Sequence, residues 1–153
     1  MAERSPGILV VDDDEAVARL LKQLMLQLTD DITVAHSGEE ALSACNRRSF
    51  DLVISDMRMP GIDGIELMHL LAVDFPSTRR VIITGHADLE HAMKAINEGR
   101  VNRYMTKPWE TEEFLAAIRD ELRAADRERA EIKRLREAID QLSNDAEGDA
   151  GDH

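Results

Sequence analysis

Apolar positions along this chain fall in short unbroken runs, each followed by a stretch where apolar and polar residues recur at helical spacing. "ILVV" (8–11), "ITVA" (32–35), "DLVIS" (51–55) and "RVIIT" (80–84) are four such runs, and "RYMT" (103–106) is a weaker fifth. Lacking a clean period-two alternation, they predict strands buried on both faces. The intervening segments predict helices. Val17, Leu20, Leu21, Leu24 and Leu28 form one stripe. Ser37 and Glu40 make a capping box that opens a helix through Ala41, Leu42 and Cys45. Ile65, Leu67, Met68, Leu70 and Leu71 precede a stop at Pro76. Leu89, Ala92, Met93 and Ile96 precede Gly99, and a last helix starts near Glu110.

Five strand–helix pairs in about 120 residues predict a parallel sheet with helices on both faces and right-handed crossovers. Ligands of such sheets bind beyond the carboxyl ends of the strands, where the strand order reverses. Those ends read Asp12-Asp13, Asp56, Thr84 and Lys107. The third run is the informative one. It stops at an acid and then passes through Pro60, Gly61 and Gly64, residues that shape turns.

Composition narrows the picture. A net charge of −12 on 153 residues argues against a nucleic-acid face on this chain, because phosphate binding needs clustered Lys and Arg. A single cysteine, Cys45, excludes a disulfide within the chain and suits a reducing, cytoplasmic compartment. No apolar run approaches the roughly 18 residues of a membrane span, and "MAERSPGILV" lacks a signal-peptide core.

Three carboxylates at one rim repel one another unless a cation neutralises them. Hard oxygen donors suit Mg²⁺, which takes one or two carboxylates and keeps several waters. Lys107 offers a point charge to a phosphoryl oxygen and Thr84 a hydroxyl, while a carboxylate nucleophile in such a setting accepts a phosphoryl group as an acyl phosphate.

"ILVVDDDE", "DLVISDMRMPGIDG", "VIITGHAD" and "YMTKPW", in this order and spacing, resemble the receiver domain of two-component response regulators over about residues 7–122. The resemblance implies a flavodoxin-like doubly wound α/β fold with strand order 2-1-3-4-5. It implies that Asp56 is the phosphoacceptor for a sensor histidine kinase or phosphotransfer protein. By the same likeness, Asp13 ligates Mg²⁺ directly, Asp12 helps through water, and Asp56 and the backbone carbonyl of Arg58 complete the set. Thr84 and Lys107 contact the phosphoryl oxygens. Thr84 and Tyr104 form the switch, and the Lys107–Pro108 bond is cis. Two departures stand out. Asn102-Arg103 replaces the acid that many members carry before the switch aromatic, so Arg103 is expected to alter the surface read by partners. Arg58 and His86 occupy the variable positions that tune phosphoryl lifetime, and a cationic Arg58 is expected to lower metal affinity.

Plain structural roles account for other residues. Asp14 is read as a helix cap and Asp63 as turn and cap chemistry. Met25, Met68, Met93 and Met105 are read as core filler, and Cys45 as a small buried side chain. His36, His69, His86, His91 and His153 show no metal spacing. A competing class is a Mg²⁺-dependent phosphohydrolase resembling the haloacid dehalogenases, with Asp12 as nucleophile and Asp14 as acid. That reading leaves Asp56 without a task. A receiver reduced to a binding scaffold is a third possibility, against which the intact acids with Thr84 and Lys107 weigh.

The last helix outruns what a receiver needs. From Glu110 to Ser143 there is neither Gly nor Pro, enough for roughly 50 Å of helix at about 1.5 Å per residue. Phe114, Leu115, Ile118, Leu122 and Ala125 make one apolar stripe. Ile132, Leu135, Ile139 and Leu142 make another at 3-4-3 spacing, with Glu128 and Arg129 interrupting the seam between them. The expected organisation is a receiver over 1–122, a helical extension over 123–143 serving a parallel homodimeric coiled coil, and an acidic disordered tail over 144–153. Such helices commonly join receivers to output domains in the family.

Overall fold

The computed structural model describes residues 4–151, with side chains through residue 148. Five parallel strands, β1 (Ile8–Val11), β2 (Ile32–Ala35), β3 (Leu52–Asp56), β4 (Arg79–Thr84) and β5 (Arg103–Thr106), form one sheet in the order β2-β1-β3-β4-β5. The helices are α1 (Glu15–Met25), α2 (Gly38–Arg47), α3 (Gly64–Asp74), α4 (Leu89–Asn97) and α5 (Thr111–Gly151), with a 3-10 turn at His86–Asp88 before α4. This is the doubly wound arrangement that the strand–helix rhythm predicts.

Period-two alternation within the strands divides the core. Leu9, Val11, Val53 and Ile82 face α2, α3 and α4, where Ala41, Cys45, Leu67, Met68 and Ala92 meet them. Ile8, Val10, Leu52, Ile54, Val81 and Ile83 face α1 and α5, against Leu21, Met25, Phe114, Leu115 and Ile118. Both faces are thus covered, and the strands read as continuous apolar runs for that reason. Leu20, Leu70 and Met93 depart from expectation, since all three face solvent. In α1 and α4 the small residues Ala18, Ala92 and Ala95 occupy the inward positions and let the helices approach the sheet closely. Met93 is therefore not core filler.

Local chemistry sets the boundaries. Asp14 caps α1 by accepting from the backbone N–H of Ala16 and Val17, and Asp63 caps α3 by accepting from Glu66 N at 2.8 Å. Ser37 Oγ accepts from Glu40 N, while the Glu40 carboxylate reaches back to His36 N, one residue beyond the usual capping-box partner. Two glycines are dictated by geometry. Gly61 has φ +74°, which side-chain-bearing residues rarely adopt. At Gly64 a Cβ would lie 2.3 Å from the Asp56 carbonyl oxygen, so only glycine lets α3 start against the end of β3.

α5 continues to Gly151 rather than ending near Ser143, so residues 144–151 are helical and not the disordered tail that their acidity suggests. Ala146, Glu147 and the Gln141–Asp145 side-chain hydrogen bond, one turn apart at 3.0 Å, favour that continuation. His153 lies outside the described residues. Among the described residues no helix is long and apolar enough to cross a membrane.

Candidate functional site at the carboxyl ends of the strands

β1 connects outward to β2 on one side, whereas β3, β4 and β5 lie on the other, so the strand order reverses between β1 and β3. Asp12 and Asp13 follow β1 at this point and Asp56 is the last residue of β3. One carboxylate oxygen from each of Asp12, Asp13 and Asp56 lies within 4.8 Å of the others. Residues more than forty positions apart in the chain thus meet at one rim.

Their environments differ. Asp12 is 1% exposed; its Oδ1 accepts from Asp14 N at 2.9 Å, and its Oδ2 is buried with no hydrogen-bond partner. Burial pushes its carboxyl above the ordinary range. The Asp14 N–H pulls the other way, and the neighbouring Asp56 charge adds to the rise. Asp13 is exposed. Asp56 is half-buried, and its Oδ1 accepts from Met57 N at 3.0 Å and from Lys107 Nζ at 2.9 Å. A buried acid with an orphaned oxygen, between two further acids and with hard donors only, is the donor set that a small divalent cation completes. The residues present fit Mg²⁺.

β4 and β5 bring the remaining groups. Thr84 is fully buried and donates to the Gly85 carbonyl at 3.1 Å. Lys107 N donates to the Thr84 carbonyl at 2.9 Å, which carries the end of β5 toward Asp56, and the Lys107–Pro108 bond is cis. Tyr104, paired in register with Ile82, is half-buried against the cluster under α4. All the acids, Thr84 and Lys107 therefore converge as expected, and Tyr104 stands on the neighbouring edge strand.

Arg58 goes elsewhere. Its guanidinium turns from the acids to Asp88 in the turn after β4, with Nε donating to Oδ2 at 2.7 Å and the terminal nitrogen to Oδ1. Each partner favours the charged form of the other, raising the Arg58 and lowering the Asp88 value. The pair bridges the loops that follow β3 and β4 and flanks a cleft of about 450 Å³ lined also by Met57, His91 and Lys94. No spacing along the chain marks this bridge, because its members are thirty residues apart and neither lies in a periodic pattern.

Two more ion-pair knots were hidden for the same reason. Glu121, on α5, accepts from Arg79 Nε at 2.8 Å and Arg103 Nε at 2.9 Å. Arg103 thus makes an ion pair within the chain while about a third of its side chain stays exposed. Asp51, just before β3, accepts from Gly7 N at 2.7 Å, from Arg4, and from Arg129 on α5. The phosphohydrolase alternative loses its acid, since the Asp14 carboxylate is occupied in capping α1.

A doubly wound sheet presenting three acids, a buried threonine and a lysine at its switch point defines a phosphoacceptor-type regulatory domain. Residues 8–119 match the family model described as the response regulator receiver domain, and the chain belongs to that family. It is 33% identical over 137 residues to the response regulator protein TodT of Pseudomonas putida, covering 90% of this chain and 60% of TodT. It is 37% identical over 142 residues to the transcriptional regulatory protein GlrR of Escherichia coli, covering 91% of this chain and 31% of GlrR. The signal receiver domain of an HD domain-containing protein from Pseudomonas fluorescens superposes with a TM-score of 0.78 at 38% identity, covering 85% of this chain and 96% of that one. The chain spans at most 60% of the length of these curated relatives.

Proposed function

We propose that Asp56 accepts a phosphoryl group from the phosphohistidine of a sensor histidine kinase or phosphotransfer protein. Met57 N and Lys107 Nζ both hold Oδ1 and orient the carboxylate, leaving Oδ2 to attack phosphorus. An oxygen–phosphorus bond forms at Asp56 as the nitrogen–phosphorus bond of the donor breaks, and the imidazole leaves with its electron pair. Asp12, Asp13, Asp56 and the carbonyl of Arg58 would hold Mg²⁺, which when bound neutralises phosphoryl oxygens in flight. Lys107 and Thr84 then take two of those oxygens, and the move of Thr84 opens room for Tyr104 to turn inward. The same chemistry permits phosphorylation from small acyl phosphates and slow autohydrolysis. The domain is regulatory, and its site of action is the cytoplasm, where the ATP that charges histidine kinases is found.

We further infer that the extension beyond residue 122 joins two copies of the chain through Ile132, Leu135, Ile139 and Leu142. The last three are 55%, 61% and 69% exposed. Apolar residues this open on one helical line suit a partner better than water.

The Lys107–Asp56 contact beside an unpartnered Asp12 oxygen carries the phosphoacceptor reading. Incubation with acetyl phosphate and Mg²⁺, then borohydride trapping and peptide mapping, is expected to label Asp56. Label at Asp12 would favour the hydrolase, and no label would leave only a binding scaffold.

A further inference from the structure

Three aspartates stand at the residue before the first turn of a helix, and two of them behave alike. Asp14 and Asp63 each turn back to accept a backbone N–H of their own helix. Asp88 holds the same position before α4 and makes no such bond. Both of its oxygens go to Arg58 instead, Oδ2 accepting from Nε at 2.7 Å and Oδ1 from the terminal nitrogen. α4 thus forgoes a cap that helices ordinarily gain from an aspartate at this position. The pair is also unequal. Asp88 is 6% exposed, whereas the Arg58 side chain keeps 76% of its exposure. The carboxylate is a fixed anchor, and the guanidinium is an outlying group that settles on it.

Charge and reach decide where Arg58 would go without that anchor. Asp12, Asp13 and Asp56 bring three formal negative charges to the rim and Lys107 returns one, so two are left over. Arg58 is two residues from Asp56. No more than about 7 Å of chain separates their Cα atoms, a distance that an arginine side chain covers. A guanidinium released there meets carboxylates that its planar fork is shaped to bind. It then supplies the neutralising charge that a divalent cation otherwise brings, and the two cations compete for the same oxygens.

We propose that Asp88 is a positioning residue for the metal: by holding Arg58 it keeps the guanidinium off Asp13 and Asp56 and leaves their oxygens to Mg²⁺. The assignment rests on the phosphoacceptor reading above and adds a residue that touches neither the metal nor the phosphoryl group. It reverses the effect expected of Arg58 alone, because a guanidinium neutralised by Asp88 brings no net charge to the rim. The same pair ties the loop carrying the Arg58 carbonyl to the turn after β4.

Mg²⁺ alone, titrated into the full chain and followed by amide NMR, reads affinity without any phosphoryl donor, and the same spectra report that each variant is folded. Asp88→Asn is expected to weaken Mg²⁺ binding about tenfold. Asp88→Ser, which can cap α4 but cannot neutralise a guanidinium, is expected to do the same. In the Arg58→Ala/Asp88→Asn double variant the competitor is gone, and affinity is expected to return to within about threefold of the unaltered chain. Glu90→Gln removes an exposed acid two residues further on without touching the pair, and is expected to shift affinity by less than about twofold. An Asp88→Asn chain that binds Mg²⁺ as tightly as the unaltered one overturns the assignment and leaves the metal site standing. A double variant as weak as Asp88→Asn, or an equal loss in Glu90→Gln, does the same. An unaltered chain whose amides ignore Mg²⁺ overturns the metal site itself, and the assignment with it.

Discussion

Replacing Glu121 by glutamine keeps the side chain's shape and removes its charge. Glu121 is 5% exposed, and its two oxygens are divided between Arg79 and Arg103 at 2.8 and 2.9 Å. Breaking a fully buried pair costs roughly 3–5 kcal/mol, mostly for the charge left behind. Here the arginine side chains keep 23% and 36% of their exposure, so water recovers part of their hydration. The amide still accepts one hydrogen bond. We expect a loss of about 2 kcal/mol, which for a domain of this size lowers the melting temperature by about 6 °C. Urea unfolding followed by far-ultraviolet circular dichroism measures it. Replacing all three members by apolar residues of similar volume is expected to cost far less than Glu121→Gln alone, since no stranded charge remains. A Glu121→Gln change below about 0.5 kcal/mol would show that solvent already screens the knot, and the reasoning would fail.

At Gly64, alanine would press a methyl group onto the Asp56 carbonyl 2.3 Å away and the Met57 Cα 3.0 Å away, both backbone atoms with little room to shift. Overpacking of this kind costs about 1–3 kcal/mol, so Gly64→Ala is expected to lower the thermal midpoint and slow Asp56 labelling together; an unchanged melting curve would refute the contact. The two-pronged hydrogen bonds from Arg48 hold the Asp31 carboxyl below its ordinary value. This depressed folded value contributes stability that is fully present above the unfolded value of about 3.9 and fades as pH falls through the folded one. Asp31→Asn is therefore expected to cost under about 1 kcal/mol at pH 7, both groups being partly exposed, and to converge with the unaltered chain in unfolding titrations as the pH falls below that depressed folded value. A gap that stayed constant with pH would exclude the ion pair as its cause.

Strand positions, helix order and the acids at the rim were legible because they depend on local periodicity and on which residue ends each run. Asp56 could be placed at the sheet edge from "DLVISD" alone, since an apolar run buried on both faces must emerge before it can carry a charge. Asp14 and Asp63 were readable as caps because capping is settled within three residues. Met93 faces solvent because Ala92 and Ala95 turn inward, and which residues do so depends on how closely α4 approaches the sheet, a tertiary distance. Arg58–Asp88, Glu121 with its two arginines, and Asp51 with Arg129 were invisible for a related reason. Long charged side chains reach several ångströms in many directions, and no sequence spacing marks a pair whose ends meet only after folding. α5 runs past Ser143 because helix propensity at Ala146 and Glu147 outweighs the net acidity of the segment.

The hidden ion pairs change how the molecule joins its two ends. The acids sit where the strands finish, whereas α5 runs back along the sheet and leaves past the end where they begin, so the seam lies at the far end of the molecule. α5 is tied to the sheet at two levels on that path, by Glu121 to β4 and β5 and by Arg129 to Asp51 before β3. Packing alone lets a helix slide by small amounts over an apolar sheet, but two charge-assisted contacts about two turns apart resist both rotation and translation. Arg103, one of the two arginines on Glu121, directly precedes Tyr104. In this chain Arg103 joins the start of β5 to α5 through Glu121.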